Sequence, residues 1–222
     1  MTVPVDRTLE SPRLRRYAQR RTEPVDVVAL QRCELCGEPI ASSHRHLLDL
    51  HRRQLRCACR VCSLLFDRRA AGGAHYRLVP QRRLCLRGFE LSKLHWEQLR
   101  IPVQIVFFFH SSAAGRVTAS YPSPMGATES RLDLPLWDEL ERANPVLTTL
   151  EEDVEALLVD RARGAARQWI VPIDDCYRLV AVIRTEWRGL TGGRELWRAV
   201  DGFFDDLDQR ARARLDQRDE RR

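Results

Sequence analysis

The apolar positions along this chain predict short strands interspersed with helices. Val103–His110 and Arg116–Tyr121 are two apolar runs of strand type, and the five residues between them end in Gly115. A linker of that length is typical of an antiparallel hairpin. Tyr76–Pro80 predicts one further short strand.

A second strand pair is predicted from Gln168–Pro172 and Tyr177–Arg184, with Asp174 and Asp175 in the turn between them. In the later run, apolar residues fill both alternating faces, which indicates a central strand covered on two sides.

Helical spacing of apolar residues occurs in Leu91–Arg100, in Leu134–Arg142 and after the Gly192-Gly193 pair. Thr149, followed three residues later by Glu152, has the form of a capping box and predicts a further helix. Together these elements predict an α+β protein with a mainly antiparallel sheet.

Five of the seven cysteines lie within thirty residues. An odd cysteine count argues against a disulfide framework and favours metal ligation. The N-terminus shows no basic-then-apolar leader, and no run of about 18 apolar residues occurs. We therefore expect no secretory signal, no membrane span and a cytoplasmic protein.

Cys33-Glu-Leu-Cys36-Gly37 has the form of a zinc knuckle, because two intervening residues let both sulfurs reach one ion. The second half, Cys57-Ala-Cys59-Arg-Val-Cys62, contains the same spacing. This spacing predicts two knuckles on neighbouring hairpins that hold one tetrahedral zinc. The predicted ligands are Cys33, Cys36, Cys59 and Cys62.

Three alternatives to this assignment remain open. Cys57 could replace Cys59 as a ligand. Four cysteines could also hold an iron–sulfur cluster. His44, His46 and His51 lie between the pairs and could form a mixed site or bind a second ion. Since four thiolates already fill a tetrahedron, we interpret these histidines as ordinary polar residues.

These observations predict four segments. Residues 1–28 are polar, contain three prolines and form a flexible basic arm. Residues 29–85 form a small zinc-ribbon-like module, residues 86–212 an α+β domain, and residues 213–222 a charged tail.

The net charge is +6, and its distribution is uneven. Residues 51–100 carry twelve arginine and lysine residues against three acidic ones. This basic segment could contact nucleic acid or an acidic protein surface. No catalytic signature is evident. Asp174, Asp175 and Cys176 could bind a metal or do acid–base chemistry, although an Asp-rich turn explains them equally well.

Several motifs resemble an uncharacterised actinobacterial family over about residues 30–210. The similar segments are Cys33-Glu-Leu-Cys36-Gly37, His44-Arg-His46, Cys57 to Phe66, Pro172 to Tyr177, and Trp187 to Gly193. Members of that family are often encoded beside nickel–iron hydrogenase genes. The resemblance implies an accessory role in hydrogenase assembly or maturation, and it supplies no catalytic residues that could be assigned to this chain.

We therefore predict a non-enzymatic, zinc-binding accessory protein that contacts a protein partner, with hydrogenase subunits or maturation factors as candidates. A zinc-ribbon nucleic-acid-binding protein is the first alternative. An iron–sulfur redox protein is the second.

Overall fold

The computed structural model describes residues 31–67, 75–131, 134–162, 164, 166–189 and 192–219. The strands are β1 (Arg45–Asp49), β2 (Gln54–Ala58), β3 (Tyr76–Leu78), β4 (Leu84–Cys85), β5 (Ile105–Ser111), β6 (Arg116–Ser123), β7 (Gly126–Arg131), β8 (Glu155–Asp160) and β9 (Arg167–Pro172). The helices are α1 (Arg60–Phe66), α2 (Lys93–Gln98), α3 (Leu134–Ala143), a 3-10 turn (Pro145–Thr149), α4 (Ile173–Glu186) and α5 (Gly193–Asp219). The predicted arm at residues 1–28 lies outside the described residues.

Two antiparallel sheets organise these elements. The larger has six strands in the order β4-β9-β8-β5-β6-β7, and the smaller has the order β2-β1-β3. All paired strands described here run antiparallel. The prediction of an α+β fold with a mainly antiparallel sheet is confirmed.

Strand β5 shows how the large sheet is buried on both faces. Phe107 and Phe109 point to one face, which α4 and α5 cover. Val106 and Phe108 point to the other face, where helices α2 and α3 contribute Trp96 and further apolar side chains. Because alternate residues enter two separate cores, the strand is apolar at nearly every position.

The predicted hairpin is present, since β5 and β6 pair with His110 opposite Val117. Helix α2 lies within the predicted Leu91–Arg100, and α3 exceeds the predicted Leu134–Arg142 by one residue. Helix α5 begins at the predicted Gly192-Gly193 pair but continues to Asp219, into the segment predicted as a charged tail. Strand β7, at the edge of the sheet, was not predicted.

The prediction of a strand at Tyr177–Arg184 is wrong, because these residues belong to helix α4. The buried apolar residues of α4 recur at helical spacing. They are Ile173, Cys176, Leu179, Val180 and Ile183. Asp174 and Asp175 occupy the first turn of this helix, where acidic residues are favoured by the helix dipole.

The predicted helix after Thr149 is also wrong. Thr149 ends the 3-10 turn, and Glu155–Asp160 form the central strand β8. Every residue of β8 is buried. Tertiary burial between β5 and β9 therefore outweighs the local capping pattern.

The small sheet packs directly against the large one. Leu48 and Val79 belong to the same buried cluster as Phe107 and Trp169. Ion pairs reinforce this contact, because the basic segment at residues 51–100 faces acidic residues of the C-terminal half. Its described pairs include Arg53–Glu129, Arg77–Asp153, Arg82–Glu155 and Arg83–Asp175.

None of the helices in the described ranges combines the length and apolar character needed to cross a lipid bilayer.

Candidate metal centre

The first cysteine pair lies on a tight turn closed by the Arg32–Pro39 bridge. The amide of Cys33 donates to the carbonyl of Glu38 at 2.8 Å, and the amide of Gly37 donates to the carbonyl of Cys33 at 2.8 Å. Gly37 has a φ of +76°, a left-handed conformation that glycine adopts readily. This geometry is that of the predicted knuckle.

The second pair lies at the junction of β2 and α1 and not on a second hairpin, so this part of the prediction is wrong. Cys59 is the N-cap residue of α1, and Cys62 lies in its first turn. The amide of Cys62 donates to Cys59 Sγ at 3.4 Å. A strand-to-helix turn therefore presents these two sulfurs.

The four sulfurs of Cys33, Cys36, Cys59 and Cys62 all lie within 4.8 Å of one another. Cys36 Sγ and Cys59 Sγ are 3.7 Å apart. Thiolates about 2.3 Å from one tetrahedral ion are separated by about 3.8 Å. The four side chains thus fit a single metal ion.

The electrostatics of the thiol groups also favour a bound cation. Burial alone would raise the pKa of Cys33. Hydrogen bonds with the backbone of Cys59, Leu35 and Cys36 together outweigh burial and lower this pKa to about 6. Burial and hydrogen bonds with the other thiols raise the pKa of Cys62. Four thiolates at this spacing would repel one another, and a metal ion would supply the compensating charge.

The core around this site is small. Its buried residues are Cys33, Ile40, Leu47, Ala58 and Cys62. Two of these five are cysteines of the four-cysteine group. A cluster of this size gives little hydrophobic stabilisation, so a metal ion would be the main cross-link of residues 31–67.

Replacing Gly37 with alanine should weaken metal binding about fivefold, which corresponds to about 1 kcal/mol. A Cβ at this position would meet nothing within 4 Å, so the whole effect comes from the left-handed backbone. Zinc titrations with a competing chelator would measure it. An unchanged affinity would show that the turn relaxes without cost.

Among the described residues, the four-cysteine group does not include Cys57. Its Sγ lies instead near ring nitrogens of His44 and His46. Its amide donates to Glu34 Oε2 at 2.6 Å. Burial, with a smaller contribution from the Glu34 carboxylate, raises the pKa of the Cys57 thiol.

The three predicted histidines separate into two groups. The rings of His44 and His46 meet edge to face with centroids 4.8 Å apart. His51 contacts His75, with Nε2 and Nδ1 2.5 Å apart.

Asp174, Asp175 and Cys176 have three different environments. Asp174 Oδ2 accepts a hydrogen bond from His46 Nδ1 at 2.8 Å. Asp175 Oδ2 accepts from Arg83 Nε at 2.6 Å. Cys176 is fully buried, and this burial raises the pKa of its thiol well above the ordinary value. A neutral, inaccessible thiol of this kind belongs to the core and is not a nucleophile.

The link between His46 and Asp174 was missed from the sequence. The two residues are 128 positions apart, and no local pattern joins them.

Comparison with known proteins places these residues in a family. No curated protein and no solved structure matches the chain. A model of a family of unknown function, DUF5947, matches residues 32–211, a range that includes all four cysteines of the candidate metal centre. The chain therefore belongs to the DUF5947 family.

Proposed function

We propose that this protein is a zinc-binding accessory protein in which one structural zinc ion organises a surface for a protein partner. The observation that carries the proposal is the convergence of four cysteine sulfurs within 4.8 Å. A site with four thiolates has no open position for a substrate, so the ion acts as a cross-link. Cys33, Cys36, Cys59 and Cys62 are the proposed ligands.

Zinc is favoured over an iron–sulfur cluster by the compactness of the group. The four thiolates of a cluster are divided between two or four iron atoms, so some of them lie farther apart than thiolates on one ion. All four sulfurs of this group lie within 4.8 Å of one another, which suits a single ion. Elemental analysis should find zinc in a colourless protein. Iron with acid-labile sulfide in a brown protein would overturn this part of the proposal.

Helix α1, which begins directly after Cys59, supplies the proposed contact surface. Its side chains Val61, Leu64 and Leu65 are 71%, 60% and 49% exposed. Positions separated by three and four residues lie on one face of a helix. Three large apolar side chains exposed together favour a protein partner with an apolar surface.

Replacing Leu64 with aspartate should abolish capture of that partner and change the free energy of unfolding by less than about 0.5 kcal/mol, since the side chain is exposed. Affinity isolation of the tagged protein from its source cells, with quantitative mass spectrometry and thermal unfolding, would measure both. Leu94→Asp is the matched control, because Leu94 is 63% exposed on α2 and should leave capture intact. Equal recovery of the same partner by Leu64→Asp would refute the surface.

The proposed partner class is a subunit or maturation factor of a nickel–iron hydrogenase. This part rests on the resemblance of the cysteine and histidine motifs to a family encoded beside hydrogenase genes. Deletion of the gene should lower hydrogenase activity in the source organism, and the wild-type gene should restore it. Unchanged activity would remove this role.

Nucleic-acid binding remains the second candidate, favoured by the basic excess of residues 51–100. Ion pairing weighs against it. At least six of the twelve cationic residues in that segment face carboxylates of the same chain. Binding to DNA or RNA should therefore be absent at low salt, whereas steeply salt-dependent binding would favour this candidate.

A further inference from the structure

A second group of metal-ligating side chains lies beside the four-cysteine site. His46 on β1 is directly opposite Cys57 on β2, and His44 is two residues before His46. Residues two apart in an extended chain point to the same face. One ring nitrogen from each histidine and Cys57 Sγ all lie within 4.8 Å of one another.

Hydrogen bonds fix both imidazole rings in the form that binds metals. His44 Nδ1 lies 2.9 Å from the carbonyl oxygen of Ala41, which can only accept, so this nitrogen carries the proton. His46 Nδ1 lies 2.8 Å from Asp174 Oδ2 and donates to that carboxylate. In each neutral ring the lone pair is then on Nε2. Carboxylate and carbonyl partners of this kind orient histidine ligands in metal sites.

His44 Nε2 is an unexplained polar atom. It is buried and has no hydrogen-bond partner. Buried polar atoms are nearly always paired, so an acceptor left alone calls for a ligand. Simple packing of the His44 and His46 rings accounts for their contact. It does not account for the unpaired nitrogen or for the Cys57 thiol close to both rings.

We propose that His44, His46 and Cys57 bind a second zinc-type divalent ion, with Asp174 as a positioning residue for His46. Two imidazoles and one thiolate form a ligand set suited to zinc. Two nitrogens and one sulfur on one such ion are about 3.3–3.6 Å apart, so small side-chain rotations would close the group around it.

This second site has an open coordination position, in contrast to the four-cysteine site. His44, His46 and Asp174 line a cleft of about 560 Å³. Three protein ligands leave the fourth position for water or an exchangeable ligand, which is the arrangement of reactive or exchangeable zinc sites and not of structural ones. The proposal explains why the chain has a fifth cysteine in this region.

Zinc content of the full-length protein after dialysis against a weak chelator would test the proposal. The wild type should retain one more equivalent of zinc than His44→Ala and than Cys57→Ser. His51→Ala is the matched control, because His51 contacts His75 and lies outside the cluster. It should retain the wild-type content. The difference in content reports the second site alone, whatever the first site holds.

The Asp174→Ala variant should still bind a second equivalent of zinc, but about 10–100-fold more weakly in competition titrations, because it loses the carboxylate that orients His46. When the four-cysteine site already holds zinc, cobalt added to the second site should show sulfur-to-metal charge transfer that is absent in Cys57→Ser. Circular dichroism would show whether that variant is folded, and if it is not, His44→Ala alone decides. Equal zinc content in the wild type and His44→Ala would overturn the proposal.

Discussion

Removal of zinc is expected to unfold the cysteine-rich module while the six-stranded sheet stays folded. The core around the four cysteines consists of five buried residues, and a structural zinc supplies about 10 kcal/mol or more to such a module. The large sheet has two apolar clusters, one on each face, and the cysteine-containing region contributes only Leu48 and Val79 to the buried residues of one of them. Its strands therefore do not depend on the ion.

Hydrogen exchange read by mass spectrometry would measure this difference. After chelation, amides of β1, β2 and α1 should lose protection, whereas those of β5 and β8 should keep it. Cys59→Ser should reproduce the metal-free pattern without chelator. Cys85→Ser, which removes a half-buried thiol outside both clusters, should not. Protection of β1 and β2 that survives complete metal removal would contradict the structural role.

Replacing Arg82 with alanine is expected to cost about 3–5 kcal/mol of unfolding free energy, because it leaves a buried carboxylate without its cation. Glu155 is fully buried at the start of β8. Its two oxygens accept from Arg82 Nε at 2.9 Å and Arg82 Nη2 at 2.5 Å. The same guanidinium donates to the carbonyl of Thr149 at 2.8 Å. Urea unfolding of the zinc-loaded protein would measure the loss.

Arg87→Ala is the matched control for Arg82→Ala. Arg87 is exposed in the same basic segment, so its removal should change the unfolding free energy by less than about 0.5 kcal/mol. Equal effects of the two substitutions would show that Glu155 tolerates the loss of its partner. A larger effect of Arg82→Ala than of Arg87→Ala would also argue against nucleic-acid binding by the basic segment, because an arginine paired inside the fold is not available to an external anion.

Features decided by neighbouring residues were predictable from the sequence. The β5–β6 hairpin follows from two apolar runs and a short linker, and the Gly37 knuckle follows from the CxxCG spacing. The class of the fold follows from the number and order of such elements.

Features decided by tertiary packing were not predictable in this way. Val180 and its neighbours are apolar enough for a central strand or for a buried helix. Only the packing of this segment on the sheet decides that it forms the helix α4. Leu157 and Leu158 enter opposite cores, a property of the central strand β8 that the capping pattern at Thr149 conceals. The His46–Asp174 contact joins two distant parts of the chain, so no spacing rule predicts it.

X-ray absorption at the zinc edge of the Cys57→Ser protein would identify the ligands of the ion in the four-cysteine centre. This variant removes the contested fifth thiol and a ligand of the proposed second site, so the remaining ion reports the four-cysteine centre alone. We expect one zinc with four sulfur neighbours at about 2.3 Å and no nitrogen neighbour. Loss of this zinc, or a first shell with fewer than four sulfurs, would contradict the assignment of Cys33, Cys36, Cys59 and Cys62.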